Sequence, residues 1–301
     1  MSQYLLLTAP ILAGTQANWA LAATLLLQVC RFLTYFPNER RWIKTLVCAI
    51  LLLELTQTGV SSHYAYWVLC LGWGDEKALA ILPWSCLATP VFTGITAGAV
   101  QTFFSWRIYL LMSRTIWACA VAGVIFLLAI AQAVMIFVVV GQFSQSTEFA
   151  NVVKITSGVR SWLIITTVCD ILTTSTLIII FYQYRIQMPW EERRTDTFIS
   201  KLMLNTVETG AVTTFTAIIY LILFLVYPLS NLEETPTFIL GKVYANVLVF
   251  TLNARYGGAR RRFWTNDAIP VPQQTVGEFT SIYLPYSTDA VSTSECTDAT
   301  P

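Results

Sequence analysis

The sequence predicts an all-α polytopic membrane protein: a seven-transmembrane-helix bundle with its N-terminus outside and its C-terminus cytoplasmic. Three observations lead there. Charge is scarce, with 12% of the residues charged against 55% hydrophobic and a mean hydropathy of +0.61, whereas a soluble domain carries about a quarter charged residues. Seven apolar segments follow one another, each near the ~20 residues needed to cross the hydrocarbon core. Finally, with the segments in this order, 14 of the 18 lysines and arginines fall on one side, the positive-inside pattern. A missed or extra helix would scramble that sorting. The seven helices form one domain, 1–262, and a tail follows over 263–301.

The first segment, 13–36, has no lysine or arginine over residues 1–14. It lacks the positive n-region of a cleavable signal peptide and reads as an uncleaved signal anchor. The second, 43–64, carries Glu54, Gln57, Thr58 and Ser61 on one helical face at about 100° per residue. A loop rich in Trp and Tyr follows, suited to the headgroup level. Cys70 and Cys86 flank it. If the loop is extracytoplasmic they could form a disulfide, or both could be buried free thiols.

In the third segment, 87–111, Gly94, Gly98, Gln101 and Ser105 align, and Gly94 to Gly98 is a small-xxx-small pattern that lets two helices approach closely. The fourth, 117–140, is the cleanest, with Gln132 its one amide. The fifth, 161–184, aligns Thr166, Asp170, Thr173 and Thr174. The sixth, 202–227, places Asn205 and Glu208 on the face of Lys201, with Glu208 about 10 Å inside the helix end. The seventh, 237–253, is the shortest and most polar, with Lys242, Asn246 and Asn253 aligned. Beyond it, an arginine-rich cluster at 255–262 reads as the positive-inside stop or as an attraction for anionic inner-leaflet lipid. The tail is rich in Ser, Thr and Pro and disordered by composition.

An ionisable group at membrane depth costs several kcal/mol unless it is paired, protonated or facing a wet cavity. The polar stripes must therefore face inward, since lipid cannot solvate them. The candidate site residues are Glu54, Gln101, Arg107, Asp170, Asn205, Glu208, Lys242 and Asn246. By depth, Glu208 can meet Arg107 or Lys201, and Lys242 can meet Asp170 or Glu54. One reading is a polar cavity that binds a small ligand or relays ions or protons. The other is a set of mutual pairs that holds the helices together at modest energy. His63 is the sole histidine, which excludes a histidine-rich metal site. No cofactor is expected. Nucleic acid is not an expected partner, because the basic residues sort by membrane side. The lipid bilayer is, and what the tail contacts in the cytoplasm is left open.

Several seven-helix comparisons fail on residues. A retinal-binding pump needs a mid-helix lysine in the seventh segment and acids in the third, but Lys242 lies near one end and the third segment has no acid. A common-class G-protein-coupled receptor would show an acid-Arg-Tyr run where this chain has Trp106-Arg107-Ile108-Tyr109. A seven-span zinc hydrolase needs several histidines.

The motifs that remain run in order. They are Gln101 to Tyr109, Asp170 to Thr174, Arg194-Thr195-Asp196, Asn205 to Gly210 with Thr213, Gly241 to Asn246, and Leu252 to Arg255. This pattern resembles a large integral-membrane family of mushroom-forming fungi catalogued as a domain of unknown function. The resemblance covers about 10–260 and implies a seven-helix membrane protein. It implies no substrate or reaction.

The favoured function is a non-enzymatic receptor- or sensor-like protein with a polar intramembrane ligand cavity. The alternative is an ion- or proton-coupled transporter or channel, against which stands the lack of a clear internal repeat. A membrane enzyme ranks last, since no nucleophile-base pair is visible.

Overall fold

The computed structural model describes residues 2–72, 83–112, 116–144, 152–187, 197–227 and 231–264. These residues are helical almost throughout, with no strand among them. The helices are α1 (Ser2–Tyr35), α2 (Arg41–Tyr66), α3 (Trp84–Leu111), α4 (Ile116–Ser144), α5 (Val152–Gln187), α6 (Thr197–Val226) and α7 (Glu234–Trp264). A π-helical turn, Trp67–Leu71, extends α2, and a 3₁₀ turn, Asn231–Glu233, leads into α7. All seven helices are long and apolar enough to cross a membrane. Most run past the apolar segments expected from sequence. A helix satisfies its own backbone, so it continues through the interfacial layer where polar residues are tolerated. The tail from 265 and the loops at 73–82, 145–151 and 188–196 lie outside the described residues.

Consecutive helices pack side by side, and α7 closes the ring against α1. Two helices fill the middle. α7 touches α1, α2, α3 and α6, and α3 reaches across to α5 and α7. Accordingly, 72% of the apolar window of α7 is buried, against 22% for α6. The segment that looked least like a membrane span is polar because protein surrounds it. α4 and α6, which present mostly hydrocarbon outward, sit at the rim.

Small residues permit the closest approaches. A methyl added at Gly14 would lie 2.8 Å from Cδ2 of Phe238 and 3.0 Å from the Thr235 Cα, so α1 and α7 meet nearly backbone to backbone there. At Gly94 the added methyl would lie 2.7 Å from Cγ2 of Ile136, which seats α4 on α3 as the small-xxx-small pattern anticipated. The apolar core runs from Phe32 and Ile50 through Val100 and Ile125 to Trp162 and Leu248.

Candidate functional site

The polar stripes converge on α7 in two clusters. The first joins α2, α3 and α7. Lys242 and Glu54 are both fully buried, and Lys242 Nζ lies 2.7 Å from Glu54 Oε2. The same ammonium donates to the Glu54 backbone carbonyl at 2.6 Å and to Gln57 Oε1 at 2.6 Å, so its three N–H donors are all used. The other carboxylate oxygen, Oε1, accepts the Thr96 hydroxyl at 2.6 Å, and Gln57 Nε2 donates to Thr93 Oγ1 at 3.4 Å. Gly241 makes room for this. A Cβ there would stand 3.0 Å from Glu54 Oε1 and 3.3 Å from Thr93 Oγ1. Of the two partners open to Lys242 on sequence grounds, the fold selects Glu54.

The second cluster joins α3, α4, α5 and α7 around Asp170. Gln101 Nε2 donates to Asp170 Oδ1 at 2.9 Å, and the Tyr244 hydroxyl donates to Oδ2. Gln132 Nε2 in turn donates to Gln101 Oε1, while Gln132 Oε1 has no hydrogen-bond partner among the described residues. Asp170 differs from Glu54 in one respect: no cationic side chain reaches it among the described residues. Beside it lies a largely enclosed cavity of about 10 Å³, lined by Asp170, Gln101, Thr173, Thr174, Thr213 and Tyr244 among others. That is about the room one water needs.

The remaining candidates lie elsewhere. Asn246 faces α1, donating to Leu21 O at 3.1 Å and Lys242 O at 2.8 Å, and it accepts the Thr24 hydroxyl at 3.1 Å. Asn253, seven residues on, repeats the contact by donating to Gln28 O at 2.9 Å. Arg107 is buried near the end of α3. Asn205 is half-buried, outside both clusters.

Glu208 corrects the expectation of an inward acid. It is exposed on α6, with no hydrogen bond or ion pair to a described residue, and the Lys201 side chain is outside the described set. The rotation of α6 explains this: Thr206, Gly210, Thr213 and Ala217 face the bundle instead. Cys70 and Cys86 are both free thiols, not a disulfide; Cys70 is exposed, and Cys86 Sγ points toward Glu234 Oε1 at 3.9 Å.

Three partners escaped the sequence reading of the site. Gln132 is a lone amide in an otherwise apolar helix, and its cost in lipid was the available signal. Tyr244 sits two residues from Lys242, off that residue's stripe. Thr96 looked like an ordinary helix threonine, which commonly satisfies itself on its own backbone.

The expected wet, ligand-sized polar cavity is replaced by these two closed clusters. Among the described residues a ligand-sized space lies on the outside, an open groove of about 920 Å³ between α2, α3 and α4. Ala49, Gly98, Ala99 and Ala133 hollow it out; Trp42, Trp106 and Phe137 wall it. Trp42 and Trp106 meet edge-to-face with ring centroids 5.0 Å apart. Apart from Thr45, Thr102 and the two indoles, its side chains are hydrocarbon. Among the described residues no group of three or more His, Cys, Asp and Glu could hold a metal ion.

Residues 166–257 match the model of a family of unknown function, DUF6534. The matched stretch starts one turn before Asp170 and contains Lys242, Tyr244, Asn246 and Asn253. No curated protein and no solved structure matches the chain.

Proposed function

We propose that the protein is a non-enzymatic, receptor- or sensor-type membrane protein that reads an amphiphile from the bilayer through the α2–α3–α4 groove. One observation carries the reading: α3 has two working faces. Ile95, Gly98, Thr102 and Trp106 line the groove, while Thr93, Thr96 and Gln101 on the same helix bond into the polar clusters. A tail seated against Gly98 and Ala99 presses on the helix that holds both networks. Packed interfaces switch between discrete arrangements more readily than they deform continuously.

The occupant is an anionic amphiphile with an apolar tail. The groove has the volume of a small-molecule site, opens where lipid lies, and its Trp42 end directly follows exposed Arg40 and Arg41. Basic residues at a membrane surface attract anionic headgroups at about 1 kcal/mol each. The N-terminus is outside and the tail cytoplasmic, where a partner would read the change. The resemblance of the ordered motifs to a fungal seven-helix family is in keeping with the bundle but brings no ligand. An ion- or proton-coupled transporter is the weaker reading, because Glu54, Gln57 and Lys242 bond one another, and Gln101 bonds Asp170, instead of facing a wet path.

The test is photo-crosslinking in nanodiscs with a diazirine-bearing anionic phospholipid, mapped by peptide mass spectrometry. Label is expected on Ala99, Ala133 and their neighbours and should be lost in Ala133→Phe, which fills the groove. Even labelling of all outward faces, unchanged by Ala133→Phe, would sink the reading.

A further inference from the structure

We infer that Asp170 and the threonine hydroxyls around it form a binding site for a single dehydrated monovalent cation, with sodium the size that suits it. Charge balance comes first. A buried carboxylate is tolerated when paired, and Glu54 has Lys242 at 2.7 Å. Asp170 is equally buried and receives two neutral donors, Gln101 and Tyr244. Neutral donors stabilise an anion without cancelling its charge, so the site wants one positive charge more than the described side chains supply.

The space beside it fits that need. The cavity of about 10 Å³ admits one small particle and no more. Its polar lining is mostly oxygen, and the threonine protons are committed elsewhere, while the Tyr244 proton goes to Asp170 Oδ2. Thr173 Oγ1 donates to Cys169 O at 2.8 Å, and Thr213 Oγ1 donates to Gly210 O at 2.9 Å. Thr174 and Thr214 share a hydrogen bond at 3.0 Å, and Thr214 donates to Gly210 O at 2.9 Å, which leaves Thr174 the donor to Thr214. Each cavity-lining threonine hydroxyl thus keeps its lone pairs available, and hard cations take oxygen ligands of this kind. Gly210 preserves the space, since a methyl there would stand 2.9 Å from Thr174 Oγ1. The site draws on α3, α5, α6 and α7, so an ion would tie α6, otherwise the least buried helix, to the centre of the bundle.

The test is thermal unfolding of the purified full chain in detergent, in sodium, potassium or choline chloride at equal ionic strength, alongside equilibrium binding of radioactive sodium. The expected result is a midpoint that rises with sodium and not with choline, as ligand binding to the folded state requires. Asp170→Asn and Gly210→Ala should each lose both the sodium-specific shift and the bound sodium. Glu208→Gln should keep both. If Asp170→Asn does not yield folded protein, Thr213→Val, which removes one ligand oxygen and keeps the shape, takes its place. Identical midpoints in all three salts with no bound sodium would overturn the proposal and leave a neutral acid or a water. A sodium response that survives in folded Asp170→Asn, Gly210→Ala or Thr213→Val would overturn it too.

Discussion

At the scale of single residues, the structure separates acids that the sequence made look alike. Glu54 is worth most to its partner. Replacing Lys242 by Ala leaves that carboxylate, Gln57 Oε1 and the Glu54 carbonyl without their shared donor. Removing one member of a buried pair costs about 3–5 kcal/mol, whereas replacing both by apolar residues of similar volume is often neutral. Lys242→Ala should therefore sharply lower resistance to SDS unfolding, and the double variant Glu54→Leu/Lys242→Met should recover most of it. Equal losses in the single and double variants would show that the pair is not an energetic unit. Glu208 stands at the opposite extreme. It is exposed and makes no bond to a described residue, so Glu208→Gln should change stability by no more than about 0.5 kcal/mol. The cost of burying a charge was legible in the sequence; which acids are buried was not. That depends on the rotation of each helix, and the stripe of α6 that faces inward is Thr206, Gly210, Thr213, not Asn205, Glu208.

At the scale of helices, contacts are set by small residues and by amides that borrow neighbouring carbonyls. The α3–α4 contact rests on Gly94, where any side chain meets Ile136. Overpacking typically costs about 1–3 kcal/mol, so Gly94→Val should destabilise by that amount in chemical unfolding, with Ile136→Ala restoring part of the loss. No restoration would mean that the strain is taken up elsewhere. The α1–α7 seam is different, because Asn246 and Asn253 reach Leu21 O and Gln28 O one heptad apart. Interhelical bonds in membranes average about 0.6 kcal/mol, so each Asn→Ala change should be mild and the pair roughly additive. The small-xxx-small spacing exposed the first seam to sequence reading. The second was hidden, since the asparagine stripe on α7 was visible but its acceptors are backbone carbonyls, which every helix offers and no sequence distinguishes. For the same reason the Asp170 cluster was half readable: Asp170 and Gln101 carry their cost openly, whereas Gln132 and Tyr244 become partners only once α4 and α7 are packed.

At the scale of the whole molecule, the order of the helices and the burial of α7 follow from one constraint: polar stripes need protein around them. The helix with the most polar character takes the centre, and the two most nearly uniform in hydrocarbon, α4 and α6, take the rim. What this packing leaves free is the direction of insertion, because a bundle and its inverted copy bury the same surface. Only the loops break that symmetry. Basic side chains stay on the cytoplasmic side, and the order of the segments in the sequence puts Arg31, Arg40, Arg41, Lys44 and the arginines at 255–262, in the last turns of α7, on the side expected to be cytoplasmic. Seven spans, an odd number, put the two termini on opposite sides. By that count Cys70, exposed at the end of the π-helical turn after α2 and two crossings from the N-terminus, is expected on the N-terminal side, and Cys296 of the tail on the other. In variants that retain one of these cysteines alone, a membrane-impermeant maleimide should label Cys70 in intact cells and Cys296 only after permeabilisation. The reverse pattern would invert the molecule and move Arg40 and Arg41, with the headgroup end of the groove, to the outer leaflet. Labelling of both from the same side would break the seven-span count itself, since it requires an odd number of crossings to be lost or gained between them.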